Sequence, residues 1–255
     1  MSQHPDILPL MQVQQVSLAA SIGSSYLLED ISFNLDAGEC LAIVGASGAG
    51  KTSLLRLLNR LNEPTQGKIF FEGQNLNQIN VHQLRRQVVL VMQEPKLLNM
   101  TVQESLAYPL KLQGLAKAEI NSRIAHWLAN FNIPEDWLER NELQLSLGQR
   151  QLITIVRALV MQPKILILDE PTSALDIGRA SRLIQLLKEL AKNSSLGIIM
   201  VNHQLDLAQH FCHRLLHLQG GKMKQDLRAS EINWSQLREE IVQTESQIKE
   251  EWKID

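Results

Sequence analysis

The sequence predicts an α/β fold with a mainly parallel sheet, and three patterns along the chain indicate it. Short apolar runs of strand length recur, and most are followed by stretches with helical periodicity. Helical periodicity alone fills residues 101–132, which predicts an α-helical subdomain inserted at about residues 94–147. The first 38 residues alternate apolar and polar side chains, which predicts an N-terminal antiparallel β subdomain.

Each element rests on a particular stretch. The N-terminal alternation is clearest in MQVQQVSL and LLEDISFNL. Continuous apolar runs are typical of strands buried on both faces of a parallel sheet. The runs assigned to that sheet are Cys40–Val44, Lys68–Phe71, Val88–Met92, Ile165–Leu168 and Gly197–Val201. The helical stretch is punctuated by Pro109, Gly114 and Pro134.

The chain ends in a predicted hairpin and a predicted amphipathic helix. Gly220-Gly221 lies between two strand-like runs and favours a tight turn. In the tail, residues 229–255, one helical stripe carries Trp234, Leu237, Ile241 and Ile248. This stripe favours a helix packed on its own domain, residues 1–228, although a contact with a second subunit or a partner is the alternative.

Composition limits the function classes. The 255 residues include 25 basic and 27 acidic side chains, and this balance gives no indication of a nucleic-acid partner. Cys40 and Cys212 are far apart in sequence, which favours free thiols in a reducing compartment. The N-terminal residues lack the pattern of a secretory signal, and no apolar run approaches the ~20 residues of a membrane-spanning helix. We expect a protein that is soluble or attached to a membrane through a partner.

The stretch GASGAGKT, residues 45–52, has the spacing of a phosphate-binding loop and lies between the strand CLAIV and a helical stretch. Glycines let the backbone turn so that N–H groups surround phosphate oxygens, and the next helix adds its positive end. Lys51 is expected to reach the outer phosphates, and the Thr52 hydroxyl to bind Mg²⁺. This predicts a P-loop NTPase core with nucleotide contacts from Gly45, Ala46, Ser47, Gly48, Ala49, Gly50, Lys51, Thr52 and Ser53.

Two adjacent carboxylates end the buried strand of KILILDEPTSALD. Neighbouring residues of a strand point in opposite directions, so Asp169 and Glu170 suit different tasks. We expect Asp169 to hold a metal ion through water and Glu170 to polarise an attacking water. By itself such a pair could also lie in a solvated loop, but a phosphate-binding loop in the same chain favours the catalytic interpretation.

These segments, together with LSLGQ at residues 145–149, resemble the ATP-binding subunit of an ATP-binding cassette (ABC) transporter of the stand-alone, single-cassette type. The resemblance covers Met11 to about Met223. It implies that adenine stacks on Tyr26 and that Gln93 contacts the metal and the nucleotide. It also implies that His203 touches the γ-phosphate and that Ser173–Asp176 form a loop exchanged with a second subunit.

In this family residues 145–149 usually read Leu-Ser-Gly-Gly-Gln and face the ATP held by the other subunit. Ser146 is suited to cap a helix and, with Gly148 and Gln149, to contact that nucleotide. Leu147 replaces a glycine, which is acceptable at helical dihedrals but costs ~1–2 kcal/mol at a positive φ. Leu152 stands where an arginine is common. We favour a working signature.

Two further clusters have simpler interpretations. His210, Cys212, His213 and His217 fit no familiar metal-ligand spacing, so a metal site is disfavoured. Arg85 and Arg86 favour a solvated helix end over a nucleic-acid patch, because no aromatic residues interleave with them.

The sequence thus predicts an ATPase that binds ATP and Mg²⁺ and dimerises, as a homodimer, around two nucleotides. It is expected at the cytoplasmic face of the cell membrane, driving a separate polytopic permease. The resemblance implies that the groove for that permease lies beside the helical subdomain, with Met100, Val102, Leu106 and Tyr108 as candidate residues. Core packing is the alternative and commoner role for such residues. The alternative is a soluble ABC ATPase of DNA repair or translation, disfavoured by the single cassette. A non-hydrolysing binding module is disfavoured by Glu170.

Overall fold

The computed structural model describes residues 8–20 and 25–251. Its main sheet has six strands in the order β10-β9-β3-β8-β7-β6. All neighbours are parallel except β9 and β10, which form the hairpin predicted at Gly220-Gly221. The strands are β3 (Cys40–Val44), β6 (Val88–Val91), β7 (Ile165–Asp169), β8 (Gly197–Val201), β9 (Arg214–Gln219) and β10 (Lys222–Arg228). The predicted α/β class with a mainly parallel sheet is confirmed.

A second sheet is antiparallel and has four strands in the order β2-β1-β4-β5. They are β1 (Met11–Ala19), β2 (Tyr26–Leu35), β4 (Gln66–Phe71) and β5 (Gln74–Asn75). The predicted N-terminal antiparallel subdomain is therefore confirmed. The assignment of Lys68–Phe71 to the parallel sheet is wrong, because these residues lie in β4 and pair with β1. Only Ile69 and Phe71 of this run are buried, which is the one-sided pattern of an antiparallel sheet over a core.

The α-helices of the described residues pack on the parallel sheet or form a separate subdomain core. They are α1 (Lys51–Leu58), α2 (Val81–Gln87), α3 (Val102–Leu112), α4 (Lys117–Phe131), α5 (Leu147–Leu159), α6 (Ile177–Ser194), α7 (Leu205–Phe211) and α8 (Trp234–Glu251). Alternate residues of each strand enter different cores, as the two-residue period of a strand requires. In β3, Leu41 and Ile43 face α1 and the second sheet, whereas Ala42 and Val44 face α6 and α7.

The helices α3 and α4 share a separate hydrophobic core with one side of α5. Thr101 and Glu104 form a capping box that starts α3, which fixes where the helical stretch begins. The helical content predicted for residues 101–132 is thus present. The subdomain bounds of 94 and 147, and the domain bound at 228, stay predictions.

The C-terminal helix α8 packs on its own domain. Leu237 is buried in the core beside α6 and α7, and Trp234 and Ile241 pack against the same core. The favoured interpretation of the amphipathic stripe agrees with this packing. Ile248 lies outside the residues whose side chains the structure describes, as does the N-terminal segment 1–7.

Candidate active site

The loop between β3 and α1 follows the carboxyl end of a central strand and has the backbone that a phosphate cradle requires. Gly45 has φ 151°, and a Cβ added there would lie 2.1 Å from the carbonyl oxygen of Leu218, so only glycine fits. Gly50 is the N-cap residue of α1, whose first N–H groups have no partner inside the helix. Phosphate oxygens are suitable acceptors for such groups.

The other loop residues divide by exposure. Ser47 and Gly48 are exposed at its tip, whereas Ala46 and Ala49 are buried and joined by a 3.2 Å hydrogen bond between Ala49 N and Ala46 O. Ser53 is half-buried in the first turn of α1. The buried alanines anchor the loop and leave its tip open to a ligand.

Lys51 is buried, and its ammonium group donates to the carbonyl oxygens of Gly45 at 2.8 Å and Ala46 at 2.9 Å. Burial lowers the pKa of Lys51, and the nearby negative charges of Glu170, Asp169 and Glu245 oppose that lowering. A cation held among carboxylates at the base of the loop is suited to bind the outer phosphates of a nucleotide.

Asp169 ends β7 directly opposite this loop. The Thr52 hydroxyl donates to Asp169 Oδ2 at 3.0 Å, while Asp169 Oδ1 is buried with no hydrogen-bond partner. Burial raises the pKa of Asp169, and the hydrogen bond from Thr52 partly opposes this. A hydroxyl oxygen beside an unsatisfied carboxylate oxygen is a donor set that fits Mg²⁺.

Glu170 is held from both sides. Gln93 Nε2 donates to Glu170 Oε2 at 2.8 Å, and His203 Nε2 lies 2.7 Å from Glu170 Oε1. Glu170 itself has φ 50°, an uncommon value for a residue other than glycine, and its N–H donates to Val201 O at 3.0 Å. Three residues that follow the neighbouring strands β6, β7 and β8 thus meet at the carboxyl edge of the sheet, beside Asp169.

Tyr26 opens β2 and is 41% exposed. Its hydroxyl accepts a 3.3 Å hydrogen bond from Gln66 Nε2. The next residue, Leu27, lies close to the loop between β3 and α1, since a Cβ added at Gly50 would lie 2.7 Å from the Leu27 carbonyl oxygen. An exposed aromatic ring is therefore adjacent to the segment that contacts the loop.

The stretch LSLGQ starts α5. Ser146 is the N-cap, with its hydroxyl accepting from Gln149 N at 3.2 Å and its own N–H donating to Gln149 Oε1 at 2.8 Å. Leu147 is the first helical residue and is absent from the residues with positive φ, so the helical alternative for this position holds. Its side chain is 50% exposed.

Gly148 has a structural constraint that the sequence did not indicate. A Cβ there would lie 2.7 Å from the carbonyl oxygen of Ala174 and 3.2 Å from Leu175. The stretch LSLGQ therefore packs against the loop Ser173–Asp176 of the same chain. In the described part of the chain, the side-chain hydrogen bonds of Ser146 and Gln149 run to each other, and none reaches the loop between β3 and α1.

The sequence reasoning also missed a buried amide that positions the His203 segment. Asn202 Nδ2 donates to Thr172 Oγ1 at 2.9 Å, and Asn202 Oδ1 accepts from Gln204 N at 2.9 Å. Both Asn202 and Thr172 are buried. A polar residue directly after the apolar run GIIMV was the available signal, because a buried amide must find partners.

The remaining clusters have separate partners. His213 Nδ1 accepts from Cys40 N at 3.1 Å, and His210 Nδ1 lies 2.6 Å from Asp206 O. His217 is buried, and burial lowers its pKa. Arg85 is not a solvated helix end, since it donates to the carbonyl oxygens of Asn59 and Arg60 where α1 ends; the helix C-terminus attracts this cation.

Part of the groove predicted near α3 is wrong. Val102 and Leu106 are fully buried in the core that α3 shares with α4 and α5, because they lie on the inward face of α3. Tyr108 is 40% exposed and borders a groove of about 360 Å³ between α3, α5 and β6. The groove is lined by Val89, Leu90, Val91, Met92, Glu94, Lys96, Leu98, Tyr108, Pro109, Thr154, Arg157, Ala158 and Met161.

Residues 28–173 match a family model described as ABC transporter. The chain is 38% identical over 200 residues to the methionine import ATP-binding protein MetN of Xylella fastidiosa, which covers 77% of this chain and 59% of that protein. It is 37% identical over 204 residues to MetN of Francisella tularensis subsp. holarctica, covering 78% of this chain and 58% of that protein. The chain thus spans about three-fifths of the length of these curated relatives.

Solved structures of ABC transporter proteins have a similar fold. A dimeric post-hydrolysis state of the ATP-binding cassette MJ0796, bound to ADP and Pi, aligns with a TM-score of 0.80 and 27% identity over 86% of this chain and 98% of that chain. CbiO1 from Clostridium perfringens, part of the transporter complex cbiONQ, aligns with a TM-score of 0.79 and 29% identity over 88% of this chain and 90% of that chain.

Proposed function

Because the chain belongs to the ABC transporter family, as its motifs predicted, we propose that it is the ATP-binding and ATP-hydrolysing subunit of an ABC transporter. It powers substrate translocation by a separate membrane permease. The observation that carries the proposal is the meeting of Glu170, Gln93 and His203 beside Asp169 and the phosphate loop. This arrangement combines a held carboxylate with an anion cradle, which is what nucleotide hydrolysis needs.

In this proposal the loop from Gly45 to Ser53 binds the phosphates of ATP. Lys51 faces the outer phosphates once its ammonium group exchanges the Gly45 and Ala46 carbonyl oxygens for them. Tyr26 offers its exposed ring to adenine. Thr52, Asp169 and Gln93 would hold Mg²⁺, which would supply positive charge that polarises the phosphate oxygens. The unpaired Asp169 Oδ1 supports this assignment.

Glu170 acts as the general base. Its carboxylate accepts a proton from the attacking water, while Gln93 and His203 keep both of its oxygens oriented at the carboxyl edge of the sheet. His203 also reaches toward the position of the γ-phosphate. Asn202 supports this segment through its hydrogen bonds to Thr172 and Gln204.

A second ATP-binding subunit completes the site, and we infer a homodimer. Ser146, Gly148 and Gln149 start a helix of 13 residues, and the N-terminus of such a helix attracts negative charge. Among the described residues, the side-chain hydrogen bonds of Ser146 and Gln149 do not reach the phosphate loop of their own chain, so in this proposal their nucleotide is the one held by another copy. The dimeric cassette MJ0796 supports this arrangement.

The permease docks in the groove beside Tyr108, at the cytoplasmic face of the cell membrane. Within residues 8–20 and 25–251, no helix is both long and apolar enough to cross a bilayer. The groove is lined mainly by apolar residues, among them those of β6, and also by the charged Glu94, Lys96 and Arg157. This suits a short amphipathic segment of a membrane subunit. We retain 1–228 as the ATPase domain, about 94–147 as its helical subdomain and 229–255 as the tail.

The groove provides the test. The tagged chain, expressed with the membrane protein encoded next to it, is purified from detergent extracts. Tyr108→Glu removes the aromatic ring from the groove and places a carboxylate there, which should abolish retention of the permease because docking would have to take that charge out of water. Leu112→Glu, an exposed position of α3 outside the groove, is the matched control and should retain it. Retention of ribosomes or DNA, equally by both variants, contradicts a transport role.

A further inference from the structure

Glu142 lies between two segments that the proposed chemistry uses. It begins a 3₁₀ turn, Glu142–Gln144, just before LSLGQ, and its side chain is 22% exposed. Its Oε2 accepts a hydrogen bond from Leu97 N at 2.9 Å, and its Oε1 accepts one from Arg150 Nη1 at 3.1 Å. One carboxylate therefore joins the segment that follows Gln93 to the first turn of α5.

The Leu97 end of this bridge is anchored in the protein interior. Leu97 is fully buried in the core that α3, α4 and α5 share, and its carbonyl oxygen accepts from Met100 N at 3.2 Å. A backbone N–H at such a position needs an acceptor, and Glu142 supplies it. Four residues earlier in the same segment, Gln93 holds Glu170.

The Arg150 end is part of the helix start. Arg150 N donates to Ser146 O at 3.0 Å, which is a hydrogen bond of the first turn of α5. Among the described residues, Glu142 is the only carboxylate paired with Arg150, whose side chain is 27% exposed and whose Nε is buried without a partner. A shift of Arg150 would therefore move the turn that presents Ser146.

The turn that carries Glu142 is itself held in place. Asn141 Oδ1 accepts from Leu143 N at 3.0 Å, and Asn141 N donates to Gln144 Oε1 at 2.9 Å. The next residue, Leu145, is buried in the same core as Leu97. The carboxylate of Glu142 thus extends from a capped turn with a buried residue directly after it.

We propose that Glu142 is a positioning residue for the contact that Ser146 makes with the nucleotide of another copy. This inference rests on the proposed function, and Glu142 lies outside the sequence motifs. Its carboxylate ties the first turn of α5 to a buried backbone segment, so the helix end keeps the position at which it meets the γ-phosphate. Charge-assisted hydrogen bonds are stronger than neutral ones, and the low exposure of this pair limits screening by salt.

Sedimentation in MgATP tests this with a parent chain that carries Glu170→Gln and so keeps its ATP intact. Adding Glu142→Gln leaves an acceptor for Leu97 N but removes the charge that holds Arg150. The dimer dissociation constant should rise about threefold for each of two equivalent contacts, and hence about tenfold. Adding Glu139→Gln makes the same charge change at an exposed position of the same segment and should match the parent.

Two further measurements separate positioning from folding. MgADP lacks the γ-phosphate, so its affinity in calorimetric titrations should be the same for the parent and for Glu142→Gln. Arg150→Gln should weaken the dimer as Glu142→Gln does, and the double variant should be no weaker than either, because both changes remove one pair. Thermal melts show whether each variant is folded, and Arg150→Gln carries the test if Glu142→Gln is not.

The outcomes distinguish the two proposals. A dimer dissociation constant of Glu142→Gln equal to that of Glu139→Gln overturns the role of Glu142 alone. A loss of MgADP affinity as large as the loss of dimerisation overturns it too, because the change would then loosen the whole fold. A parent chain that binds no MgATP, or binds it and stays monomeric, overturns the proposed function, and this inference with it.

Discussion

Leu147 begins α5, and its side chain is half exposed while the capping box of Ser146 and Gln149 closes around it. Since its dihedrals are helical, leucine supplies the same backbone N–H as glycine would. The constrained residue of this stretch is Gly148, which lies against Ala174. The departure from the family pattern at Leu147 therefore falls where the backbone accepts a side chain, and not at the constrained Gly148.

Leu147→Gly should change ATPase activity by less than ~10-fold, within the ~1 kcal/mol scale of helix propensity.

Gly148→Ala should lose about 1–3 kcal/mol of stability, because the added methyl group overpacks the contact with Ala174. Steady-state ATPase rates and thermal melts measure both. Strong activation by Leu147→Gly would instead mean that this signature is degenerate and that a different cassette is the working partner.

Among the elements, the carboxyl ends of β6, β7 and β8 gather the reacting groups. This follows from parallel strands, whose carboxyl ends share one edge, and it places Gln93, Glu170 and His203 in contact. The same edge requires a buried carboxylate at Asp169. Its raised pKa, caused mainly by burial, indicates that the ionised form is costly in the folded protein.

Asp169→Asn should therefore raise the melting temperature in EDTA at neutral pH by a few degrees. The pKa of Asp169 is higher in the folded protein than in the unfolded chain. The ionised carboxylate therefore destabilises the folded protein above its folded-state pKa, and this destabilisation disappears as the pH falls from that value to the unfolded-state pKa. The advantage of the variant should accordingly shrink at acidic pH. Wild-type protein with ATP should gain stability from Mg²⁺, and the variant should not. A variant less stable than wild type in EDTA contradicts this account.

Periodicity predicted the strands and helices of the fold well, but it did not predict every strand pairing or every packing contact between these elements. The run Lys68–Phe71 was correctly identified as a strand, yet four residues cannot indicate which sheet receives them. The family resemblance made Val102 and Leu106 candidates for a surface groove, with core packing as the alternative, and the structure places both in the core because they lie on the inward face of α3. Motif spacing located the phosphate loop, whereas contacts between distant segments, such as Asn202 with Thr172, required the structure.

For the whole molecule, the proposed assembly is a dimer of two copies of the chain, each holding ATP on its own loop and presenting Ser146 to its partner. The proposed roles of its residues are separable: Lys51 in nucleotide binding, Glu170 in hydrolysis and Tyr108 in docking of the permease. The central claim is that Glu170 is the base that activates water. Its environment supports this claim, because both oxygens are held beside Asp169.

The most direct measurement is MgATP binding and turnover of Glu170→Gln, with the exposed Glu189→Gln of α6 as the matched control. The glutamine keeps the shape of the side chain but cannot accept a proton, so turnover should fall by ~10²–10⁴-fold while affinity for MgATP stays near wild type. ATP-dependent dimers should then persist in gel filtration. Glu189→Gln should behave as wild type. Turnover of Glu170→Gln close to the wild-type rate would contradict the account.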